Sequence, residues 1–368
     1  LLLLLVLRLS GRLPALQPTR SLTRLRLVAR FALAVVILQI MLGGWTSTNY
    51  AAVACIDLPT CHGEWWPEMD FHTGFNLLHQ EIRSGPLINI DETTVQVLNE
   101  PGRLSTTKSY MWICRGGVPD RPGLLYHYDP NRSARVAREL LDGYSGIVQS
   151  DGYKGYDFLD GVEEITHIGC WAHARRKFVD AQKGRGKSKK TGSVEIALDY
   201  IRKIYAVEKE AARKCLSPEA HLDLRMSKTK KILDEFHKWL IKKSIHVTPK
   251  SLLGQAVGYT LNQWKRLKAF LDYPVVTPDN NMAENAIRPF VVGRKNWLFA
   301  GTVEGARACA SIYSLIETAK ANNIEPYKYL RFLLEKLPFA ETLEEHRALL
   351  PMFLEPEDLL IADPLSGV

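Results

Sequence analysis

The sequence has no Cys-x-x-Cys pair: its six cysteines are scattered singly over 368 residues, which leaves a zinc ribbon or zinc finger without support. No further long apolar run follows residue 78, so the bulk of the chain is not a multi-span membrane protein. The polar composition of a disordered chain is missing too. Hydrophobic residues make up 46%, ample for a packed core, and the length points to about two domains. Nor does the chain open on methionine. It begins at Leu1 in a run of leucines, so the true start is expected elsewhere, or the reading frame is expected to begin inside another gene.

What is present is an uneven positive charge. Of the net +8, residues 1–78 contribute six Arg against four acids, and the remainder carries 42 basic against 36 acidic residues. Residues 175–190 concentrate eight basic side chains, beginning with Arg175, Arg176 and Lys177, against the single acid Asp180. Such a block fits a polyanionic partner, and it equally fits a solvated, self-repelling loop.

The stretch FALAVVILQIMLGGW, residues 31–45, is apolar except for Gln39 and follows Arg20, Arg24, Arg26 and Arg30. A span needs ~20 apolar residues, so a transmembrane helix over about residues 27–45 requires Leu27 and Val28 as well. The arginines would then face the cytoplasm, and Trp45, Tyr50, Trp65 and Trp66 would form an interfacial belt. Cys55 and Cys61 would fall outside, where a disulfide between them is permitted. A signal peptide using AAVAC and a buried soluble helix are the competing readings. The segment LQIMLGGWTSTNYAAVACIDLPTCHGEWWPEMDF resembles the internal helix and cysteine loop of haem A synthase, over about residues 1–78. A haem pocket needs histidines from several helices, whereas His62 and His72 lie in or just after this loop, so haem is not expected as a cofactor.

From Pro86 the pattern changes. LINIDETTVQVL, SYMWICRGG and GLLYHYDP are β-branched and aromatic runs separated by turn residues, which predicts an antiparallel meander. SARVARELLDG has helical spacing with Gly143 placed for a C-cap, GIVQ returns to strand, and EEITHIGCWAHARRKF reads as a strand running into a helix. This order suits a ribonuclease H-like α/β core. Residues from about 190 to 272 are helical by pattern and read as an insertion, with a C-terminal segment over 321–368.

Three acids stand at element ends in this frame. Asp91 closes the apolar half of the first strand, Asp151 follows GIVQ, and Glu284 lies in TPDNNMAENAIRP, where Pro278 and the Asp/Asn cluster start a helix. Hard oxygen ligands from separated elements suit a pair of Mg²⁺ or Mn²⁺ ions, which can activate a water or a 3′-hydroxyl on a phosphodiester. For Asp151, beside Gly152, a turn carboxylate is an equal alternative.

The blocks INIDETTVQVLNEPGR, VQSDGYKGYD, GCWAHARRKF, DNNMAENAIRPFVVGRKNWLFAGTVEGA and NNIEPYKYLRFLLEKLP resemble, in order over about residues 79–360, the transposases of the insertion sequence 66 family. The resemblance implies a D-D-E catalytic domain over about 79–320, with Asp91, Asp151 and Glu284 as catalytic and metal-binding residues. It implies DNA cleavage at transposon ends, 3′-hydroxyl strand transfer into target DNA, a homo-oligomer on DNA, and accessory proteins of the same element. Family members carry an N-terminal DNA-recognition region. The haem-synthase-like piece stands in its place here, so impaired transposition is expected from a cytoplasmic catalytic domain, membrane-anchored if residues 27–45 insert. A haem-synthase-like membrane fragment and an inert fusion product are the rival readings.

Neighbouring residues carry two readings each. Arg288 either pairs with Glu284 one turn earlier or holds a DNA phosphate. Arg175, Arg176 and Lys177 extend one helix toward backbone phosphates, and Arg294 and Lys295 join them as DNA-binding candidates. Trp297 either packs in the core or stacks on an extruded base. Cys170 and His173 have zinc-like spacing without a second pair, and read better as a buried thiol and a histidine at the site's rim. The junction of the two pieces is placed at residues 76–83, as an exposed linker.

Overall fold

The computed structural model describes residues 71–184 and 192–359. The expected transmembrane helix, the cysteine loop with Cys55 and Cys61, and the second half of the basic run lie outside these residues. Among the described residues, no helix is long and apolar enough to cross a membrane.

The first element is a helix, α1 (Phe71–Arg83), not a linker. Phe75, Leu78 and Ile82 recur at helical spacing, and Leu78 and Ile82 are fully buried. They pack with Ile88, Ile90, Trp112 and Cys114 of the sheet, so the exposed junction expected at residues 76–83 is absent. Gly85 then turns the chain. A side chain there would meet the carbonyl of Gly117 at 1.9 Å, so only glycine allows the approach.

Three strands follow, β1 (Leu87–Asn99), β2 (Lys108–Gly116) and β3 (Gly123–Asp129), paired antiparallel as a meander. Helix α2 (Ala134–Leu140) ends near Gly143, whose φ of 68° is the left-handed conformation expected of it. The chain returns as β4 (Gly146–Gln149), passes through a 3₁₀ segment (Lys154–Gly161), and forms β5 (Ile165–Ile168). β4 lies parallel to β1, and β5 parallel to β4. The strand order is therefore β3-β2-β1-β4-β5, a mixed sheet, with a short strand β6 (Ala300–Thr302) also pairing parallel to β1.

Helices cover both faces. Ile88 and Ile90 of β1 point to the α1/α2 side, while Val95 and Val97, at odd positions, point to the other. On that other side lie α9 (Asn281–Trp297) and α10 (Val303–Ala321). β3 is an edge, and α10 closes it. The Ser314 and Thr318 hydroxyls accept from the backbone N–H groups of Tyr126 (2.8 Å) and Leu124 (3.0 Å), satisfying groups that would otherwise invite another strand.

Between β5 and α9 the chain is helical. α3 (Trp171–Gly184), α4 (Ser193–Arg213), α6 (Lys230–Ser244), α7 (Leu252–Asn262) and α8 (Trp264–Lys268) share a core around Trp171, Phe178 and Phe236, while α5 (Pro218–Leu224) and a π turn (Arg225–Thr229) connect α4 to α6. Arg225 ties this block to the chain ahead of α9. Fully buried, it donates to both Glu208 oxygens (2.9 and 2.7 Å) and to the carbonyls of Phe270, Tyr273 and Val276 (2.7, 2.9 and 2.8 Å). All five of its donors are used. The C-terminal helices α11 (Pro326–Lys336) and α12 (Leu343–Ala348) pack beyond α10.

Candidate active site

Parallel pairing of β1 with β4 sets Asn89 opposite Gln149. Two residues further on lie Asp91, still within β1, and Asp151, just past the end of β4. The start of α9 is pinned to this spot. Asn89 donates to Gln149 and to Asn280 at 2.9 Å each, and Asn280 donates back to the Ile90 carbonyl at 2.9 Å. Gln149 donates to the Thr277 carbonyl at 2.8 Å, and the backbone N–H of Trp171 to that of Pro278 at 2.9 Å. Asn280 therefore spends its side chain on β1 and caps no helical N–H. Glu284, in the first turn of α9, is thereby delivered to the same corner.

The acids act on one another through their charge. Burial, then the negative charges of Glu92, Asp151 and Glu284, push the Asp91 carboxyl up to about 8. Glu92, on the opposite face of β1, is raised by burial and held by the Tyr156 hydroxyl at 2.5 Å and by Arg132. Asp151 takes the Tyr153 backbone N–H on Oδ1 at 2.9 Å, so the turn role weighed for it is real. Its Oδ2 stands 3.9 Å from Arg132.

On the α3 side, Arg176 lies 3.4 Å from Glu284 Oε2 and His173 Nδ1 lies 3.6 Å from Oε1. Glu284 Oε1 and His173 Nδ1 are both buried without a hydrogen-bond partner. Burial lowers the His173 pKa, and Arg176 adds to this against the charges of Asp151 and Glu284. Among the described residues, the metal-capable group with ligand atoms all within 4.8 Å is Cys170, His173 and Glu284. Its thiol accepts the Asn280 N–H at 3.2 Å and is pushed by burial up to about 12, so it remains protonated and suits a hard cation poorly. The orphaned oxygen, Glu284 Oε1, belongs to this group, and among the described residues Asp91 and Asp151 do not form such a group with Glu284 within that distance.

The remaining expected residues separate. Lys177 sits 4.9 Å over the Tyr259 ring. Arg175, Arg176, Lys183 and Arg202 line a cleft of about 890 Å³ between α3 and α4. Arg288 is exposed and, among the described residues, makes no ion pair with Glu284, whose partners come from α3. Arg294 donates to Thr93 and Thr94 hydroxyls (3.1 and 3.2 Å) and so fastens α9 to β1. Lys295 is exposed, roughly 17 Å along α9 from Glu284 by helical rise. Trp297 meets Phe290 edge to face at 5.4 Å and belongs to the core against β2 and β3. Two residues at the site carried no signal in sequence. Glu92 was overshadowed by Asp91, and Arg132 sits in a turn whose partners come from three other elements.

Residues 71–308 match the model of the family described as "Transposase IS66 family", and residues 314–352 that of the "IS66 C-terminal element". The chain belongs to the IS66 transposase family. It is similar to the uncharacterized protein y4qI of Sinorhizobium fredii, 31% identical over 304 residues that cover 78% of this chain and 55% of that protein. Similarity to y4jD of the same organism is 31% over 284 residues, covering 73% and 54%. The chain thus spans about half the length of these relatives. Residues 1–84 match the model "Cytochrome oxidase assembly protein". A haem A synthase of Shewanella oneidensis is 39% identical over 109 residues, covering 29% of this chain and 33% of that enzyme. A haem-synthase-like fragment is therefore fused ahead of the transposase region, the two matches overlapping over α1. No solved structure matches.

Proposed function

We propose that the transposase region is a ribonuclease H-like nuclease and strand transferase, with Asp91, Asp151 and Glu284 as ligands of two Mg²⁺ or Mn²⁺ ions. What supports this reading is the half-buried Asp91 in β1, with Asp151 just past β4 and Glu284 in the first turn of α9 both adding negative charge that raises its pKa. Three acids in a half-buried corner repel unless a cation joins them. The bound ions would supply a polarised water or 3′-hydroxyl and offset the charge on the leaving oxygen.

The chain's own residues do the rest. β1 and β4 fix the two aspartates in register, and the Asn89–Asn280 contact fixes Glu284 against them. Arg176 and Arg175, along the cleft wall, and Lys177 hold backbone phosphates of the DNA end, and Arg288 extends the track along the exposed side of α9. His173, unpartnered at Nδ1, can take a hydrogen bond or a proton beside Glu284. Cytoplasmic action on transposon ends and target DNA, a homo-oligomer on that DNA, and accessory proteins of the element belong to the same reading. Residues 27–45 offer a route to a membrane.

The test is nicking of a supercoiled plasmid that carries the DNA flanking this gene, with and without Mg²⁺. Metal-dependent nicking by the full chain, abolished by Asp151→Asn and by Glu284→Gln, is expected. Nicking that survives both substitutions overturns the assignment.

A further inference from the structure

We propose that Arg132 is a DNA phosphate ligand that becomes available only when Asp151 is engaged by metal, an inference that rests on the nuclease reading above. Arg132 stands in the turn between β3 and α2, and its guanidinium is held on two sides. Nε and Nη2 bind the Glu92 carboxylate, and the plane lies 3.9 Å over the Tyr153 ring. Glu92 is itself immobile, 1% exposed, with its second oxygen on the Tyr156 hydroxyl at 2.5 Å. The third contact differs in kind. Asp151 Oδ2 is 3.9 Å away, beyond hydrogen-bond reach, and the Arg132 side chain is 38% exposed. Among the described residues its Nη1 has no acceptor.

A charge count gives the switch. In the metal-free protein one guanidinium stands between two carboxylates, Glu92 and Asp151, and the local field is negative, so an approaching phosphate gains nothing from it. With Asp151 committed to a cation, the charge that offset Arg132 is withdrawn. Arg132 cannot follow Asp151, because Glu92 and Tyr153 keep their grip. It is left as an oriented fork with an open Nη1 edge beside the carboxylate cluster, where a non-bridging phosphate oxygen of the strand to be cut would lie. Arg288 is the internal contrast. It is exposed on α9 and, among the described residues, forms no ion pair, so it can reach DNA whether or not metal is present.

The experiment measures binding of the full chain to a fluorescent 30-base-pair duplex as salt is raised, once in EDTA and once in Ca²⁺. Each phosphate contact contributes a slope of about 0.9 in log K against log salt. Wild-type protein should show a slope steeper by about that amount in Ca²⁺ than in EDTA. Arg132→Gln should remove the difference and leave the EDTA slope unchanged, whereas Arg288→Gln should lower the slope in both conditions. Arg132→Lys, which keeps the charge without the fork, should retain the slope and lose several-fold in affinity in Ca²⁺ only. If Arg132→Gln shifts both conditions equally, or neither, the switch is wrong. If Arg132→Gln does not fold, Arg132→Lys decides, and equal losses in both conditions overturn the inference. Wild-type protein that binds DNA in neither condition overturns the nuclease reading itself.

Discussion

Asn89 and Asn280 are buried hydrogen-bond partners at 2.9 Å, 191 positions apart in the chain. Two residues past the first is Asp91, and four past the second is Glu284. This one contact fastens the central strand to the helix that carries the third acid, so the carboxylate corner is set by the core and not by loops. Asn89 Oδ1 is itself buried without a partner, so the register rests on the two hydrogen bonds its Nδ2 donates, to Gln149 and Asn280.

Asp91 makes stability depend on pH. Its folded pKa of about 8 lies above the ordinary value of 3.8, so the folded state holds a proton that the unfolded chain releases. That contribution is fully present below pH 3.8 and is lost as pH rises toward 8. Asp91→Asn removes the titration. Without metal, the variant should gain on wild type by on the order of 2–5 kcal/mol between pH 4 and pH 8.5, read from urea unfolding at each pH. Added Mg²⁺ should narrow the gap. A gap that does not change with pH would show that Asp91 is not held protonated.

Helix α1 belongs to the folded unit that begins at Met69. A fragment from Met69 onward should unfold cooperatively. A fragment starting at Pro86 loses Leu78 and Ile82, both fully buried, and should be less stable by at least about 3–5 kcal/mol, as for large core truncations. Equal urea midpoints for the two fragments would return residues 76–83 to the status of a linker.

Arg225→Met leaves three backbone carbonyls without their donor and the Glu208 carboxylate, 15% exposed, with His221 Nε2 at 3.0 Å as its remaining partner among the described residues. The expected loss is about 3–5 kcal/mol by denaturant unfolding. Adding Glu208→Leu should recover part of it, because the stranded charge is then gone as well. No recovery would mean that the carbonyls of Phe270, Tyr273 and Val276 are the main partners.

Much of this was legible in the sequence where the signal is local. The β-branched and aromatic runs LINIDETTVQVL and GLLYHYDP mark the meander and place Asp151 just past β4, whereas Asp91, expected at a strand end, lies inside β1, which runs on to Asn99. Glu284 is legible through the helix start after Pro278. What sequence could not show are contacts between distant elements. Arg132 meets Glu92 and Asp151 only after β1, β3 and β4 assemble, and Arg225 reads as an ordinary surface arginine until its five acceptors are in place. The stretch FHTGFNLLHQEIR, where the haem-synthase-like and transposase matches overlap, was expected to be an exposed linker and is a packed helix, because its burial depends on a sheet that comes later in the chain. Arg294 looked like a DNA contact for a related reason: its partners, Thr93 and Thr94, lie on β1.

The central claim is that Asp91, Asp151 and Glu284 hold divalent metal. Its most direct test is Mn²⁺ titration of the full chain followed by electron paramagnetic resonance, which counts bound ions without any need for DNA or turnover. The account predicts that wild type binds two ions, and that Asp91→Asn, Asp151→Asn and Glu284→Gln each lose at least one while keeping their fold. Unchanged Mn²⁺ binding in all three variants would contradict it.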